Sequence, residues 1–380
     1  MSETPQSGRS SRRIARLVEA AVGKLELELD GKTVYTEAAT GGFASTAAAA
    51  AAAGADRVYA LARDSSHGTA EEAVEETAAV AEACDCRDRI EFVRAKTATE
   101  VGRADIVTNT GFVRPIDVQT VSWLKETAVV SLMYEPWEFR DSDLDIEACW
   151  DARVPVLGTD ESDPRLETQA YLGHLAAKLA FENGIEVKNC RIVVTGSDPL
   201  AVETVSGLET LGADVTFVAG ATNDKRVSNR RDTTTLGEPA AKRALERADA
   251  LVAIEHTRPT SLIGPEGELT AEEVSSLNEG LLVIHICGNV DETAVREAGV
   301  SMVPTDPAPP GRMSFTLEYL GPRPTVDLQA GGLKVGELLS SAREEGLSMD
   351  DAVERVAQTP VAADFSDEFK RQHGYDAGTR

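Results

Sequence analysis

Residues 33–45 read TVYTEAATGGFAS and decide the first half of the fold. The apolar run at 33–38 predicts a short strand, which Gly41 and Gly42 then break. The following run at 45–53 is mostly alanine and predicts a helix. A glycine pair between a strand and a helix lets the backbone approach a phosphate or a ribose, and the helix start adds N–H donors. The stretch therefore predicts the opening turn of a nucleotide-binding α/β domain.

The same alternation of short apolar runs and helical stretches continues along the chain. Thr69 and Glu72 fit a capping box, which predicts a helix that ends near Ala83. Alternating strands and helices indicate βαβ units and a parallel sheet. The further predicted strands are 57–62, 89–93, 105–109, 128–133, 154–157, 191–195, 214–218, 250–255, 281–287 and 301–303.

The chain has 380 residues, which is enough for two domains. Both halves show a strand, a glycine-containing turn, a helix and a strand introduced by Gly-Ala-Asp. The sequence therefore predicts an α/β fold of two Rossmann-like, doubly wound parallel-sheet domains joined by a long helix. The expected parts are a disordered N-terminus 1–13, a first domain 14–165, a linking helix 166–184, a second domain 185–330, C-terminal helices 331–360 and a polar tail 361–380.

The chain is strongly acidic, with 64 Asp and Glu against 38 Lys and Arg and a net charge of −26. Such a field repels nucleic acids and anionic membrane surfaces, so we expect neither as a partner. We interpret the charge as the hydrated surface of a halophilic protein, with a cationic partner as the alternative. No signal-peptide pattern and no run of ~18 strongly apolar residues is present, which predicts a cytoplasmic protein.

The five cysteines have irregular spacing. Cys84 and Cys86 form a C-x-C motif without the second pair that a zinc site requires. We therefore expect reduced thiols and no metal.

The candidate cofactor residues lie in loops that follow the predicted strands. Asp64 comes 22 residues after Gly42, close to the spacing of an acid that binds the ribose of a dinucleotide. Arg63 and Ser65 beside it would instead accept the 2′-phosphate of NADP. The alternative is that Gly41 and Gly42 only permit a tight turn and Asp64 caps a helix. The end of the fourth strand adds three candidates for the far end of the cofactor, which are Asn109, Thr110 and Gly111.

Three further residues are candidates for substrate contact or proton transfer. His67 lies in a polar loop at the carboxyl end of the second strand, where ligands bind in open α/β sheets. Arg114 precedes a proline and supplies a fixed cation, and Glu135 follows the fifth strand. In the second half, His256, His285 and Cys287 suggest a nucleophile pair or a metal site, but strand residues of this kind are usually core.

Several segments of the second half carry a family resemblance. A helical stretch precedes the strand at 187–196, ADALV stands at 248–252 and GNVDE at 288–292. They resemble the tandem-Rossmann NAD(P)-binding superfamily of D-2-hydroxyacid dehydrogenases, adenosylhomocysteine hydrolase and methylene-tetrahydrofolate dehydrogenases. The resemblance implies NAD or NADP as cofactor and, by analogy, a homodimer. The turn at 196–201 reads GSDPLA instead of G-x-G-x-x-G, and Cys287 replaces an expected arginine, so the hydroxyacid dehydrogenase mechanism is not carried over.

The first half has a competing resemblance. Residues 37–43, 53–60 and 88–93 look like class I S-adenosylmethionine methyltransferases, whose ribose acid would fall at Ala62, two residues before Asp64. The leading hypothesis is an NAD(P)-binding oxidoreductase-like enzyme that acts on a small polar metabolite. The alternatives are an S-adenosylmethionine-dependent methyltransferase that uses the same pocket and a non-catalytic nucleotide-binding protein.

Overall fold

The computed structural model describes residues 7–220, 222, 224–256, 258, 260–310, 312–365 and 369–370. The chain forms two compact units. The first comprises Met1–Glu167 and Gly321–Arg380, and the second comprises Thr168–Leu320. Both are α/β units built on parallel sheets, as the sequence predicts. The chain therefore returns to the first unit after completing the second.

The first unit alternates strands and helices before the chain leaves it, and it ends with two helices and a short strand. Its helices are α1 Ser7–Leu25, α2 Ser45–Ala52, α3 Ala70–Ala83, α4 Ala98–Val101, α5 Val118–Trp123, α6 Ile146–Asp151, α13 Pro322–Glu344 and α14 Met349–Val356. Its strands are β1 Thr33–Glu37, β2 Arg57–Leu61, β3 Ile90–Val93, β4 Ile106–Thr108, β5 Val129–Ser131, β6 Val156–Thr159 and β14 Ala362–Ala363.

The sheet of the first unit has the order β14-β6-β5-β4-β1-β2-β3. All neighbours are parallel except β14, which pairs antiparallel with β6. Tyr35 of β1 lies opposite Tyr59 of β2 on one side and Val107 of β4 on the other. The chain order therefore reverses between β1 and β4, which makes this position the topological switch point of the sheet.

Small residues bring helices close to this sheet. In α2, Ala47–Ala51 are all buried, because the helix packs against α1, α3 and α13. In α13, a β-carbon at Gly332 would lie 2.2 Å from the sulfur of Met133. At Gly336 it would lie 2.6 Å from Cγ2 of Ile106. Glycine is therefore required on the face of α13 that contacts β4 and β5.

The second unit holds a five-stranded parallel sheet and a two-stranded one. The order in the larger sheet is β13-β11-β9-β7-β8, so its switch point lies between β7 and β9. The helices are α7 Leu172–Glu182, α8 Pro199–Thr210, α9 Lys225–Ser228, α10 Pro239–Leu245, α11 Ala271–Leu277 and α12 Glu292–Glu297. The strands are β7 Arg191–Thr195, β8 Asp214–Val218, β9 Ala250–Ile254, β10 Ser261–Ile263, β11 Leu282–Cys287, β12 Asn289–Val290 and β13 Ser301–Val303.

The structure differs from the sequence prediction at the ends of elements. Residues 7–13, predicted to be disordered, form the first turns of α1, while residues 1–6 lie outside the described part. The linking helix is shorter than predicted, because Glu167 has a φ of 54°, which a right-handed helix does not accommodate. The start of the predicted polar tail is instead β14, with Phe365 buried behind it.

The close contact of α13 with the sheet predicts the effect of Gly336→Ala. Alanine favours a helix more than glycine does, but the new methyl group would collide with Ile106. We expect the free energy of unfolding to fall by about 1–3 kcal/mol, as in overpacked cores. Gly23→Ala in α1 is the matched control, because nothing lies within 4 Å of its β-carbon position. It should gain up to about 1 kcal/mol. Urea unfolding in concentrated KCl measures both, and similar changes in the two variants would contradict the packing argument.

Candidate active site

Glu37 lies at the switch point of the first unit, where β1 ends. Its side chain is buried, and Oε2 accepts a hydrogen bond of 2.8 Å from the backbone N–H of Phe112, which follows β4. A β-carbon at Gly111 would lie 3.4 Å from the same oxygen. Burial raises the pKa of Glu37 to about 7, although the Phe112 hydrogen bond and the charge of Arg114 oppose the shift. Burial therefore favours the protonated form of this carboxyl.

Arg114 is held close to this edge by two contacts. Its Nη1 donates to Asp143 Oδ2 at 2.9 Å, and its guanidinium carbon lies 5.9 Å from the centre of the Tyr134 ring. Nε of Arg114 is buried and has no hydrogen-bond partner within the described residues. Burial raises the pKa of Tyr134 to about 12. The predicted fixed cation is thus held in place by a carboxylate and a phenol ring.

Two acids follow β5 beside this cation. Glu135 Oε1 accepts a hydrogen bond of 3.2 Å from the backbone N–H of Glu161. Burial raises the pKa of Glu138 to about 7, and the charge of Glu135 adds to the shift while Arg140 and Arg114 oppose it. The structure therefore brings two predicted residues, Arg114 and Glu135, into the surroundings of Glu138. Among the described residues, the ring of His67 makes no hydrogen bond or ion pair, and no contact links it to this group.

The predicted residues after β4 have different environments. Asn109 is fully buried, and its Oδ1 accepts a hydrogen bond of 2.8 Å from the backbone N–H of Met133. The hydroxyl of Thr110 is 3.2 Å from that of Thr108, which in turn donates to Thr36 at 2.8 Å. These side chains connect β1, β4 and β5. Of the three candidates, Gly111 is the exposed one.

The glycine turn after β1 is partly filled by side chains of α3. Gly41 has a φ of 62° and begins a short 3₁₀ helix, Gly41–Ala44. Its N–H donates to Glu76 Oε2 at 2.8 Å, and Thr77 exchanges hydrogen bonds with the backbone of Ala39. Gly42 is buried. A carboxylate therefore already occupies the donor that the sequence assigns to a phosphate.

The loop after β2 lies beside that turn. Thr40 Cγ2 is 3.4 Å from the β-carbon position of Gly68, so the two predicted cofactor segments come together. Asp64 Oδ1 accepts a hydrogen bond of 2.8 Å from Ala70 N–H at the start of α3, which matches the capping alternative. Ser65 Oγ accepts a hydrogen bond of 3.1 Å from the N–H of His67.

Arg63 differs from its neighbours in this loop. It is partly exposed and makes no hydrogen bond or ion pair with the described residues. Burial raises the pKa of Tyr35 and lowers that of Lys96, and the nearby charge of Arg63 acts on both groups in the lowering direction. Arg63 is therefore an available cation at the carboxyl edge of the sheet.

The switch point of the second unit is built differently. Asp198 caps α8 by accepting a hydrogen bond of 3.2 Å from Ala201 N–H, and burial raises its pKa to about 7. Ser197 Oγ donates to Glu255 Oε1 at 2.8 Å, and Arg258 Nε donates to Glu255 Oε2 at 2.7 Å. A β-carbon at Gly196 would lie 2.0 Å from the carbonyl oxygen of Ile254, so only glycine fits. The turn is thus pressed against β9 and linked to it by a buried polar network.

His285 and Cys287, two candidates for the alternative nucleophile or metal site, are held by the surrounding structure. Both ring nitrogens of His285 are bonded, Nδ1 with Ser314 Oγ at 2.7 Å and Nε2 with the Gly288 carbonyl at 3.0 Å. Cys287 is buried in the core. Within the described residues, no three side chains of His, Cys, Asp or Glu are grouped as metal ligands would be. His285 therefore has a structural role here.

The sequence prediction missed Glu37 and Glu138 as titrating groups. Glu37 was visible as an acid at the end of an apolar strand, a position that faces a ligand crevice in parallel sheets. Glu138 lies in the segment that follows the fifth predicted strand, but no pattern in that segment predicts the desolvation that raises its pKa. The sequence pattern therefore predicted the carboxyl edge of the first sheet as the site, but it did not predict the raised pKa values of Glu37 and Glu138.

The fold is similar to that of solved structures. A dipicolinate synthase polypeptide from Bacillus halodurans matches with a TM-score of 0.53 and 12% identity, over 80% of this chain and 96% of that one. A dipicolinate synthase from Bacillus subtilis gives a TM-score of 0.55 at 12% identity, over 84% and 99%. No protein-family model matches the sequence, and no curated protein sequence does. The predicted tandem-Rossmann architecture is confirmed.

One finding bears on the membrane prediction. Of the helices in the described part of the chain, none combines the length and the apolar character that a membrane crossing needs.

The raised pKa of Glu37 predicts a pH effect on stability. The pKa rises from an ordinary value of 4.5 to about 7, so the folded state holds an extra proton between these values and loses stability as pH rises through them. Glu37→Gln resembles the neutral acid and keeps an oxygen for Phe112. Between about pH 5 and pH 7.5 the wild type should lose up to about 3 kcal/mol more than the variant. Urea unfolding at several pH values measures this. Exposed Glu82→Gln is the control, and a Glu37→Gln curve parallel to the wild type would refute the shift.

Proposed function

We propose that this chain is an NAD(P)-binding oxidoreductase that acts on a small polar metabolite. The tandem-Rossmann fold supports this, because its switch points are where such proteins bind dinucleotides. The observation that carries the proposal is Glu37, a buried carboxyl with a pKa of about 7 at the switch point of the first unit. Perturbed acids in this position are typical of catalytic sites.

The residues around Glu37 fit redox chemistry on a polar substrate. A bound nicotinamide supplies or accepts a hydride, and the protein must then move the accompanying proton. Glu37 holds such a proton beside the exposed Gly111. Arg114, fixed by Asp143, would orient an anionic or carbonyl group of the substrate. Glu135 lies near the same edge, whereas His67 is a candidate only by its position in the sequence.

The phosphates of the cofactor have two candidate positions, one at each switch point. In the first unit, the unpaired Arg63 offers a cation near Gly41, Gly42, Asp64 and Ser65, and a guanidinium suits the 2′-phosphate of NADP. In the second unit, the start of α8 offers N–H donors after Gly196.

A ligand screen tests the proposed function. The full chain in concentrated KCl is heated with NAD, NADP, S-adenosylmethionine or adenosylhomocysteine, and the melting temperature is followed. A bound ligand stabilises the folded state by mass action, by about 2.7 kcal/mol at a hundredfold excess over Kd. This stabilisation raises the melting temperature. We expect a shift with NAD or NADP, and a larger one with NADP if Arg63 holds the 2′-phosphate. A shift with S-adenosylmethionine alone would replace the proposal with the methyltransferase alternative, and no shift at all would remove both.

Paired variants locate the phosphates. Each helix start carries a carboxylate, Glu76 on Gly41 N–H and Asp198 on Ala201 N–H. Glu76→Gln and Asp198→Asn remove the negative charge but keep an oxygen acceptor. Loss of a like charge next to the phosphates should tighten binding roughly fivefold. Each variant is titrated with the cofactor that the ligand screen identifies. The affinity should increase only in the variant at the helix start that binds the phosphates, and the other variant serves as the control. Unchanged affinity in both would exclude phosphate binding at either helix start.

A further inference from the structure

A pocket lies in the second unit at the edge of the five-stranded sheet where its strands begin. It has a volume of 270 Å³ and is formed by the first residues of β7 and β8 and by the end of α10. Its lining residues are Arg191, Ile192, Val193, Asp214, Thr216, Arg243, Ala244 and Arg247. These are the amino ends of the strands, whereas the switch point lies at their carboxyl ends. The pocket is therefore separate from the site at the switch point.

Three arginines line this pocket without a partner. Arg191, Arg243 and Arg247 make no hydrogen bond through their side chains and no ion pair with the described residues. Elsewhere the acidic chain supplies carboxylates to many of its arginines, as at Arg165 with Asp163 and at Arg230 with Glu209. Three adjacent unpaired guanidinium groups are unexpected in a chain with a net charge of −26. They indicate a positive electrostatic potential at this pocket, on a chain that is negative overall.

The carboxylates near the pocket, Asp214 and Asp249, reduce this positive field but are outnumbered by the three arginines. Asp214 is in the lining and leaves a net charge of two positive units among the lining side chains. Asp249 Oδ2 accepts a hydrogen bond of 2.7 Å from the backbone N–H of Arg191, so it bonds the main chain of this arginine and not its guanidinium. Guanidinium groups stay charged at all physiological pH values, and they repel one another unless an anion lies between them.

We propose that this pocket binds the phosphate monoester of a small hydroxylated molecule. Arginine forks match phosphate oxygens in pairs, which favours phosphate over a single monovalent anion. Thr216 and Asp214 supply a hydroxyl and a carboxylate for the hydroxyl groups of the ligand, and Val193, which pairs with Thr216, is buried beside them. A volume of 270 Å³ accommodates a sugar phosphate but is below the usual size of sites for drug-sized ligands. The net negative charge of the chain disfavours a nucleic acid here.

Ribose 5-phosphate and ribose are suitable probes of the full chain, in the lowest KCl concentration that keeps it folded. We expect calorimetric titration to detect ribose 5-phosphate but not ribose, with inorganic phosphate weaker than the ester. Raising KCl should weaken the binding, because the three arginines are exposed to solvent and salt screens their charges. Equal signals from ribose and its phosphate, or no signal from the phosphate, would overturn the proposal.

Single substitutions assign the binding to this pocket. Arg243→Gln and Arg247→Gln should each weaken ribose 5-phosphate binding about tenfold, because each removes one hydrogen bond from a charged donor to the phosphate. Arg57→Gln is the control for the loss of one exposed positive charge, since Arg57 lies in the first unit at the start of β2, and it should leave the affinity unchanged. Melting temperatures without ligand verify that each variant is folded. Equal losses in all three variants would point to general charge and contradict the pocket. Neither result depends on whether NAD or NADP binds, so the two proposals fail separately.

Discussion

The first unit depends on the close approach of α13 to its sheet. Gly331, Gly332 and Gly336 lie where any side chain would collide with Leu166, Met133 or Ile106. The approach fixes β4 and β5, and the segments that follow these strands carry the polar groups of the candidate site. Because α13 belongs to the part of the chain that returns after the second unit, this site is complete only when the C-terminal segment has packed. Sequence-distant contacts of this kind make folding slow relative to local helix formation.

The same packing explains the unusual protonation at the carboxyl edge. Burying a carboxyl group costs free energy unless the group is neutral or paired. Glu37 is buried and Glu138 is partly buried. The Phe112 hydrogen bond and Arg114 oppose the rise in the pKa of Glu37, and Arg140 and Arg114 oppose it for Glu138. A leucine or methionine at either position would avoid this cost. Acids occupy both positions despite this cost, and we therefore infer that this edge of the sheet has a chemical role in addition to a packing role.

Local pattern predicted the elements better than the contacts between them. The capping box at Thr69 and the parallel strands of the two larger sheets follow from spacing and composition, whereas β10, β12 and β14 were not predicted. The start of α13 at Pro322 was missed, because prolines and glycines indicate a loop unless a neighbouring surface requires them. The donor at Gly41 is taken by Glu76, which lies 35 residues further along. The spacing of Asp64 fits a ribose ligand and a helix cap equally well, and only the position of Ala70 N–H separates the two roles.

Both switch points place a carboxylate where a Rossmann domain offers donors to phosphate, and the two cases differ in how that charge can be removed. Glu76 is exposed and can swing into solvent, which would release Gly41 N–H at little cost. Asp198 is buried, so it cannot leave, but its pKa of about 7 lets it take up a proton. A phosphate at α8 would favour the protonated acid, because two adjacent negative charges repel. By linkage, phosphate binding there would tighten as pH falls through 7, whereas phosphate binding at Gly41 would involve a movement of Glu76 and no proton uptake by Asp198.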